Sequence, residues 1–440
     1  MSADPAKLKR RANILVAFTA CAVLVGALFG WLLPGWLPAD IPENKEARAT
    51  ALMLIGFPGD LLMQMLKMLV VPLIVATMIV GVASLGDIRK AGKIGYRTIG
   101  YYAVTTGLSV LTGIILVNLV QPGVTGSAIP EAAADLPQSL QAPKGALVSL
   151  LEVVKGMFPS NLFDAAANMN VLGLIVFSIV LGAVLSTMGE RGRPVLRFFE
   201  SFNEAIMKIV HLVVWYAPIG IASLLMARMG KAGDAFFSSE IPKLAMYITT
   251  VLVGLAIHVL ITLPLIYWLF KKQNPFKYML GMAQALLTAF STASSSATLP
   301  ITMECAKVNN KIGDRTAGFV LPLGATINMD GTALYEAVAV IFIAQTLGAD
   351  LSAGQQVVIF FTATLAAIGA AGIPEAGLVM MAIVLTAVGI DPKYAALILA
   401  VDWFLDRFRT AVNVAGDAIG AGVVDHLETR DAPPLPAAAG

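Results

Sequence analysis

Charged residues are scarce in this 440-residue chain, where Asp, Glu, Lys and Arg together make up 13%. Soluble globular proteins carry about 25%, and 58% of the residues here are hydrophobic, so the composition excludes an ordinary soluble domain. The net charge of +2 is too small to indicate a nucleic-acid partner. In place of charge the sequence has a series of long apolar runs.

Cysteine and histidine are also few. The two cysteines, Cys21 and Cys305, lie in apolar sequence without metal-ligand spacing, so we expect packing residues and no disulfide. The three histidines, His211, His258 and His426, are scattered and form no cluster. The sequence shows no nucleophile–base pair, no metal-ligand set and no phosphate-binding loop, which argues against an enzyme.

Apolar runs of about 20 residues, enough to cross a bilayer, recur along the chain. They include residues 14–33, 103–120 and 244–269. These runs are continuously apolar and do not alternate, so helices are predicted and not the strands of a barrel. Basic residues precede the first run and follow every second one, which places both termini in the cytoplasm. The sequence thus predicts a multi-pass protein of a cell inner membrane or plasma membrane.

Small residues interrupt the apolar runs after residue 277. The breaks are at 293–300, 324–331 and 369–374. Short apolar arms on either side of such a break are typical of re-entrant hairpins, whose irregular backbone is buried in protein or lines a watery cavity. Two hairpins with an interrupted helix between them indicate a substrate site near the membrane midplane. Ordinary kinked helices are the alternative.

A polar stripe runs along the last span, near residues 394–424. Helical spacing places five residues on one face: Asp402, Asp406, Arg409, Asn413 and Asp417. Each ionised group costs about 2.5–3.5 kcal/mol at the centre of a bilayer, so the stripe must face protein, water, an ion or a substrate. One interpretation is an internal ion-pair network that includes Arg407. In the other, Asp406 accepts the ammonium of a zwitterion and Arg409 binds a carboxylate.

The run Asn-Met-Asp-Gly-Thr at 328–332 is the second polar segment. Gly331 favours a local departure from the helix that frees main-chain carbonyls. Asn328 and Asp330 add hard oxygen atoms, and Asp417 is a further candidate of the same kind. Carbonyls and carboxylates in a dry site suit a small hard cation such as Na⁺.

Glu336 follows this run inside the same apolar span. Burial disfavours an ionised carboxylate, so a buried Glu336 is predicted to be held protonated. The residue is then either a proton carrier or a neutral hydrogen-bonding residue of the core, and the sequence leaves both open.

At these residues the sequence resembles the dicarboxylate/amino acid:cation symporter family, which includes the animal excitatory amino acid transporters and archaeal aspartate transporters. Four specific motifs occur in order, at 294–300, 328–332, 369–374 and 402–410. The resemblance implies an all-α polytopic membrane protein with eight transmembrane helices and two re-entrant helical hairpins, assembled as a homotrimer in the lipid bilayer.

The resemblance also implies a scaffold domain and a transport domain. Helices 1 and 2 (1–85) and helices 4 and 5 (123–230) would form the scaffold and hold the trimer together. Helix 3 (86–122) and the segment 231–427, with helix 6, hairpin 1, helix 7, hairpin 2 and helix 8, would carry substrate across the bilayer in an elevator-type movement. Residues 428–440 would be a cytoplasmic tail.

By position, the resemblance implies nine contacts to an acidic amino acid. They are Ala293, Ser295, Thr332, Ile373, Gly377, Asp406, Arg409, Thr410 and Asn413. Arg409 indicates aspartate or glutamate, because members of the family that carry neutral amino acids lack arginine at the matching position.

The sodium ligands implied by the resemblance form three sets. The first set is Gly324, Asn328, Asn413 and Asp417. The second set is Thr326, Ala367, Ile368 and Ala370. The third set is Tyr102, Thr105, Thr106, Asn328 and Asp330. Glu336 matches the glutamate that is linked to proton and potassium coupling in the animal branch.

The sequence therefore predicts a Na⁺-coupled symporter of L-aspartate or L-glutamate, with H⁺ and K⁺ as further candidate coupling ions. Two alternatives stay open. A proton-coupled carrier of C4-dicarboxylates would use Arg409 but would not need Asp406 for an ammonium group. An anion channel would need neither the closing hairpins nor a substrate-specific arginine.

Overall fold

The computed structural model of the chain describes residues 5–36, 45–84, 92–124, 151, 154–168, 170–233, 236–369 and 376–430. These residues form helices joined by turns and short irregular segments, with no strand among them. An apolar chain in a bilayer must bond each main-chain N–H and C=O internally, and a helix does so within one segment. The all-helical class predicted from the sequence is confirmed at this level.

The helices fall in two halves of the chain. The first half contains α1 (Pro5–Trp36), α2 (Lys45–Ser84), α3 (Lys93–Val120), α4 (Leu162–Ala167), α5 (Val171–Thr187) and α6 (Arg193–Ala232). The second half contains α7 (Ile241–Ile257), α8 (Leu263–Lys271), α9 (Pro275–Gly281), α10 (Ala283–Thr292), α11 (Ser295–Glu304), α12 (Asp314–Ile327), α13 (Asp330–Thr346), α14 (Ala353–Gly369), α15 (Ala376–Ala387) and α16 (Ala396–Arg430).

Several of these helices can span a membrane. Five helical stretches of the described part are long and apolar enough: Glu46–Ala83, Lys93–Val120, Arg193–Lys231, Ile241–Lys271 and Asp314–Thr346. Shorter apolar helices cover Ala17–Leu33, Val171–Thr187 and Ala353–Ala367. The protein is therefore a multi-pass membrane protein, while the count of eight spans and two re-entrant hairpins stays a prediction.

Helices α1, α2, α5 and α6 pack against one another and form what we call the apolar group. Gly26 of α1 lies directly on α6, where an added Cβ would be 2.7 Å from the carbonyl oxygen of Ala222. Ser223 of α6 joins α2 by accepting from the N–H of Gly59 at 2.9 Å. Buried polar side chains in the described part of this group are hydroxyls, and none of its described charged residues is buried.

Helix α3 and helices α7–α16 form a second group, which we call the polar-core group, around α13. Every residue of α13 except Gln345 is buried. A helix that is apolar on all sides belongs in the interior of a protein, and α3, α7, α14, α15 and α16 surround it. This helix begins at Asp330, so the polar segment of the sequence lies at the start of the most buried element.

The first predicted hairpin is a pair of packed helices, α10 and α11. Ala293 ends α10 in a left-handed conformation with φ 49°. The side chain of Ser294 then caps α11 by accepting from the N–H of Ala297 at 3.2 Å. The hydroxyls of Thr292 and Thr298 meet at 3.1 Å and close the tip.

The second predicted hairpin consists of α14 and α15, which also pack together. Residues 370–375 between them lie outside the described residues, and with them Ala370 and Ile373 of the predicted site.

A two-residue break separates α12 from α13. Asn328 (φ −96°, ψ 91°) and Met329 (φ −118°, ψ 60°) are not helical. The predicted interruption is therefore present, but the prediction that Gly331 causes it is wrong, because Gly331 lies inside α13. This glycine serves close packing instead: an added Cβ would be 2.6 Å from the carbonyl oxygen of Arg409.

Candidate functional site

A layer of buried polar side chains separates two apolar clusters of the polar-core group. One cluster surrounds α13 and includes Phe342 and Leu405. The other surrounds the C-terminal part of α16 and includes Tyr278 and Ile419. The polar layer is built from α3, the break between α12 and α13, and the middle of α16.

The stripe of α16 is buried over its whole length. No member is more than 6% exposed: Asp402, Asp406, Arg409, Asn413 and Asp417. The helical spacing therefore predicted a shared face correctly, and this face contacts protein and not lipid.

Arg409 lies at the centre of the layer and is completely buried. Its Nη2 donates to Oδ1 of Asp406 at 2.8 Å, while Nη1 lies 3.1 Å from Oδ1 of Asp402 without the alignment of a hydrogen bond. The guanidinium stacks on Tyr335, 3.9 Å from the ring centroid. Gly377 of α15 lies directly against it, where any Cβ would collide with the guanidinium. Nε and Nη1 have no hydrogen-bond partner among the described residues.

Arg407 does not join this network. Its Nη1 donates to the main-chain oxygens of Phe290 and Ser291, each at 3.1 Å, near the C-terminal end of α10. These carbonyls end a helix and lack helical partners, so Arg407 holds the first hairpin to α16. The ion-pair interpretation therefore describes Asp402, Asp406 and Arg409 and is wrong for Arg407.

Asn413 joins the start of α13 to α16. Its Oδ1 accepts from the N–H of Gly331 at 2.7 Å, and its Nδ2 donates to Oγ1 of Thr332 at 3.2 Å. Thr410 lies one turn before Asn413 and is buried as well. Three of the predicted substrate contacts, Thr332, Thr410 and Asn413, thus lie beside Arg409.

The two hairpins contribute the rest of the substrate set. Ala293 and Ser295 are buried at the tip of the first hairpin, whose two helices both pack against α16. Gly377 comes from the second hairpin and contacts Arg409. Ile373 lies outside the described residues.

Asn328, in the helix break, connects α3 with α16. Its Nδ2 donates to Oδ1 of Asp417 at 3.0 Å, and its Oδ1 lies 3.4 Å from the hydroxyls of both Thr105 and Thr106. A hydroxyl has one proton, and that of Thr106 goes to Oδ1 of Asp330 at the shorter distance of 2.7 Å. Asp330 and Asp417, the two predicted carboxylate ligands, therefore flank one asparagine.

Tyr102 and Gly324 close this end of the layer. An added Cβ at Gly324 would lie 2.5 Å from the hydroxyl of Tyr102 and even closer to Oδ1 of Asp417. The hydroxyl of Tyr102 donates to the main-chain oxygen of Val320 at 2.8 Å. Members of the first and third predicted sodium sets thus share one buried space.

Asp330 and Asp417 are 0% and 2% exposed. Among the described residues, no lysine or arginine forms an ion pair with either carboxylate. A buried carboxylate without a positive partner is unfavourable by several kcal/mol or more, so the arrangement favours a bound cation. In the described part of the chain, no three His, Cys, Asp or Glu side chains are placed so that together they could hold a metal ion. The hydroxyl, amide and carboxylate oxygens of this layer suit a hard ion.

The second predicted sodium set is not assembled by the described residues. Thr326 is exposed, and its hydroxyl bonds to the main-chain oxygen of Leu323 at 2.9 Å. Ala367 is buried on α14, which packs against α12. The side chain of Ile368 and the whole of Ala370 lie outside the described part.

Glu336 lies one turn after Thr332 on α13 and is completely buried. Neither carboxyl oxygen has a hydrogen-bond partner in the described part of the chain. The interpretation of Glu336 as a neutral residue that hydrogen-bonds within the core therefore finds no bonding partner among the described residues.

Sequence reasoning missed three members of the layer. Tyr335 stacks on Arg409, and Ser109 donates to the main-chain oxygen of Asp330 at 2.8 Å. His258 lies 3.1 Å from Oδ2 of Asp330. A histidine inside an apolar span is itself a signal of function, which the scattered positions of the three histidines obscured.

Comparisons with known proteins agree with this geometry. The family model described as "Sodium:dicarboxylate symporter family" matches residues 15–427. An excitatory amino acid transporter of Caenorhabditis elegans is 44% identical, with 96% of this chain and 89% of the relative aligned. Excitatory amino acid transporter 3 of Mus musculus is 43% identical, with 96% of this chain and 87% of the relative aligned. Excitatory amino acid transporter 3 of Homo sapiens is 41% identical, with 95% of this chain and 86% of the relative aligned. The chain belongs to the sodium:dicarboxylate symporter family.

Proposed function

We propose that this protein is a Na⁺-coupled symporter that moves L-aspartate or L-glutamate across the membrane. One observation supports this most strongly. Among the described residues, a completely buried arginine with two unbonded nitrogens lies in the same polar layer as two buried carboxylates that have no lysine or arginine partner. The arginine suits an acidic substrate and the carboxylates suit a cation, so one site has a place for each.

Arg409 would bind the side-chain carboxylate of the substrate. Nε and Nη1 have no hydrogen-bond partner among the described residues. Once Nη2 is released by Asp406, it would form with either of them the paired donors that a carboxylate accepts in a bidentate manner. Asp406 would accept the ammonium group of the substrate. To do so, Asp406 would give up its hydrogen bond to Arg409 when the substrate binds. The buried arginine would then have an acidic partner both with and without substrate, which avoids an unpaired buried charge.

The remaining substrate contacts would come from three elements. Thr410 and Asn413 of α16 and Thr332 of α13 offer hydroxyl and amide groups near Arg409. The hairpin tips would supply main-chain groups and cover the substrate on two sides, at Ala293, Ser295, Ile373 and Gly377.

Na⁺ would bind at the break between α12 and α13 and be carried together with the amino acid. Asp330, Asn328 and Asp417 would provide oxygen ligands, with Thr105, Thr106 and Tyr102 from α3, and Gly324 and Asn413 beside them. The second sodium set, at Thr326, Ala367, Ile368 and Ala370, would bind a further ion under the second hairpin.

The same segment links the cation to the substrate. Asp330 and Thr332 lie in the first turn of α13, and Asn413 bonds to both Gly331 and Thr332. A cation that fixes the break would therefore also fix the substrate contacts, and each ligand would raise the affinity for the other. Glu336, one turn further along, is placed to respond to this state, and we assign it the H⁺ or K⁺ coupling.

The packing supports a division into scaffold and transport domains. The apolar group corresponds to helices 1, 2, 4 and 5 of the predicted scaffold, and the polar-core group to the predicted transport domain. We propose that the polar-core group moves against the apolar group in an elevator-type mechanism. The apolar group would hold three copies together, and both termini would lie in the cytoplasm.

Uptake into proteoliposomes tests the function. Purified protein is reconstituted, and accumulation of radiolabelled L-aspartate and L-glutamate is measured with an inward Na⁺ gradient, with and without internal K⁺. We expect accumulation that requires Na⁺. Uptake of C4-dicarboxylates under an inward proton gradient without Na⁺ dependence would favour the dicarboxylate carrier, and an ion current without any accumulation of substrate would favour the channel.

A further inference from the structure

His258 occupies an irregular turn in the span that joins α7 to α8. Pro264 lacks the N–H that would bond to the carbonyl four residues earlier, and its ring displaces that carbonyl. A π turn over His258–Thr262 ends two residues before this proline, and the helix continues from it into α8. Such turns inside helices often occur at functional positions. This one holds His258 completely buried.

The imidazole of His258 reaches the carboxylate of Asp330 at the oxygen that α3 does not bond. Nε2 lies 3.1 Å from Oδ2, while the hydroxyl of Thr106 donates to Oδ1 at 2.7 Å. A carboxylate accepts hydrogen bonds, so Nε2 of His258 is the donor in this contact. Each carboxylate oxygen thus has one donor, and the two donors come from different helices.

This contact accounts for the burial of His258. It is the one hydrogen bond that the imidazole makes with the described residues, because Nδ1 has no partner there. The only charged group to which His258 is paired in the described part is Asp330. A histidine that merely filled space in an apolar span would not need its polar atom at this carboxylate.

We propose that His258 is a positioning residue for Na⁺, acting through Asp330. By holding Oδ2 while Thr106 holds Oδ1, it fixes the rotation of the carboxylate and leaves one lone pair of each oxygen for the cation. His258 does not itself touch Na⁺. The proposal rests on the proposed role of Asp330 as a ligand of the transported Na⁺, and it adds a residue from a helix that supplies none of the predicted ligands.

Two variants of similar shape test whether His258 acts as an N–H donor or only fills space. His258→Gln keeps an N–H donor, whereas His258→Met removes it. Binding of radioactive Na⁺ to the purified protein is measured without amino acid, together with the Na⁺ dependence and the KM for L-aspartate in uptake. Because loss of an outer-shell partner weakens metal binding by about 10–100-fold, we expect His258→Met to raise the half-saturating Na⁺ concentration by about that factor. His258→Gln should stay close to wild type.

At saturating Na⁺ the KM for L-aspartate should be the same in both variants as in wild type, since His258 is separated from the substrate. Thr250→Val is the matched control, because among the described residues the buried hydroxyl of Thr250 on α7 bonds only to the oxygen of Met246 in its own helix. Its Na⁺ affinity should not change. Where His258→Met does not give a monodisperse protein, His258→Leu replaces it.

Three results would contradict the account in different ways. A wild-type protein that binds no Na⁺ would contradict the proposed function itself. Normal Na⁺ binding by wild type and by His258→Met alike would overturn the role of His258 alone. An equal loss of Na⁺ affinity in His258→Gln and His258→Met would show that an N–H donor at this position is not what the site requires.

Discussion

The apolar group and the polar-core group use the same helical fold for opposite purposes. In both, glycines let helices touch: Gly26 brings α1 onto Ala222 of α6, and Gly331 brings α13 onto Arg409 of α16. In the apolar group the surfaces brought together are hydrocarbon with a few hydroxyls. In the polar-core group they are carboxylates, amides and a guanidinium.

This difference shows how a membrane protein can confine its unfavourable residues. Ionised groups are tolerated in a span where they contact each other, water or ligands. The described buried charged side chains all belong to the polar-core group. The apolar group is then free to pack tightly, and we propose that binding belongs to the polar-core group alone.

Arg409→Cys should have the largest effect. Truncating one partner of a buried, hydrogen-bonded charge pair costs about 2–5 kcal/mol, which corresponds to a loss of about 30-fold or more in L-aspartate affinity. Uptake of acidic substrate should fall to background, and a neutral amino acid should become a substrate. Radiolabelled uptake measures both.

Arg48→Cys is the matched control in the apolar group. Arg48 of α2 donates to the main-chain oxygen of Gly230 in α6 at 2.8 Å. Its loss should lower thermal stability but leave the KM for L-aspartate unchanged. Wild-type uptake by Arg409→Cys, or an altered KM in Arg48→Cys, would remove the distinction between the two groups.

Gly331→Ala and Gly26→Ala form the second test. Each Cβ would lie within 3 Å of a main-chain oxygen of the facing helix, and such overpacking costs about 1–3 kcal/mol. Both variants should be less stable in a thermal unfolding assay. Gly331→Ala should also raise the half-saturating Na⁺ and L-aspartate concentrations, because α13 begins at the site. Equal affinities of the two folded variants for Na⁺ and L-aspartate would contradict the placement of the site at the start of α13.

Glu336→Gln should leave binding intact and change the coupling. The amide does not gain or lose a proton near neutral pH, so uptake should lose its dependence on pH or internal K⁺. Na⁺-dependent exchange of L-aspartate between the two sides should persist. Net uptake driven by K⁺ as in wild type would exclude Glu336 from this role.

The smallest effect is expected at the ion pair that joins the two groups. Nζ of Lys67 on α2 lies 2.6 Å from Oδ1 of Asp391, which follows α15, and both side chains are partly exposed. Such pairs contribute about 0–1 kcal/mol. If the groups move against each other, the pair must break in each cycle. Lys67→Gln should therefore change the turnover rate by a small factor and leave the KM unchanged, as uptake kinetics would show.

Much of the site could be predicted because α16 is regular. Residues at helical spacing share a face, so its buried stripe was predictable from the sequence. The same geometry explains Arg407, which is two positions from Arg409 and therefore points to another side of the helix, where it bonds to Phe290. The partners of the stripe could not be predicted, because the sequence alone does not show which helices are neighbours.

Irregular backbone limited what could be predicted from the sequence about the rest of the site. A glycine is compatible with both a helix break and a close helix contact, and the sequence could not tell that Gly331 serves the second. The π turn before Pro264 shifts the register of its helix, so the position of His258 beside Asp330 does not follow from periodicity. Both features lie where the polar layer is assembled from several helices.

The most direct test is whether Na⁺ and the amino acid bind to one coupled site. The affinity of the purified protein for L-aspartate is measured by calorimetry over a range of Na⁺ concentrations, with choline replacing Na⁺ at constant ionic strength. The account predicts that affinity rises steeply with Na⁺ and that Asp417→Asn reduces this dependence. An affinity for L-aspartate that does not change with Na⁺ would contradict it.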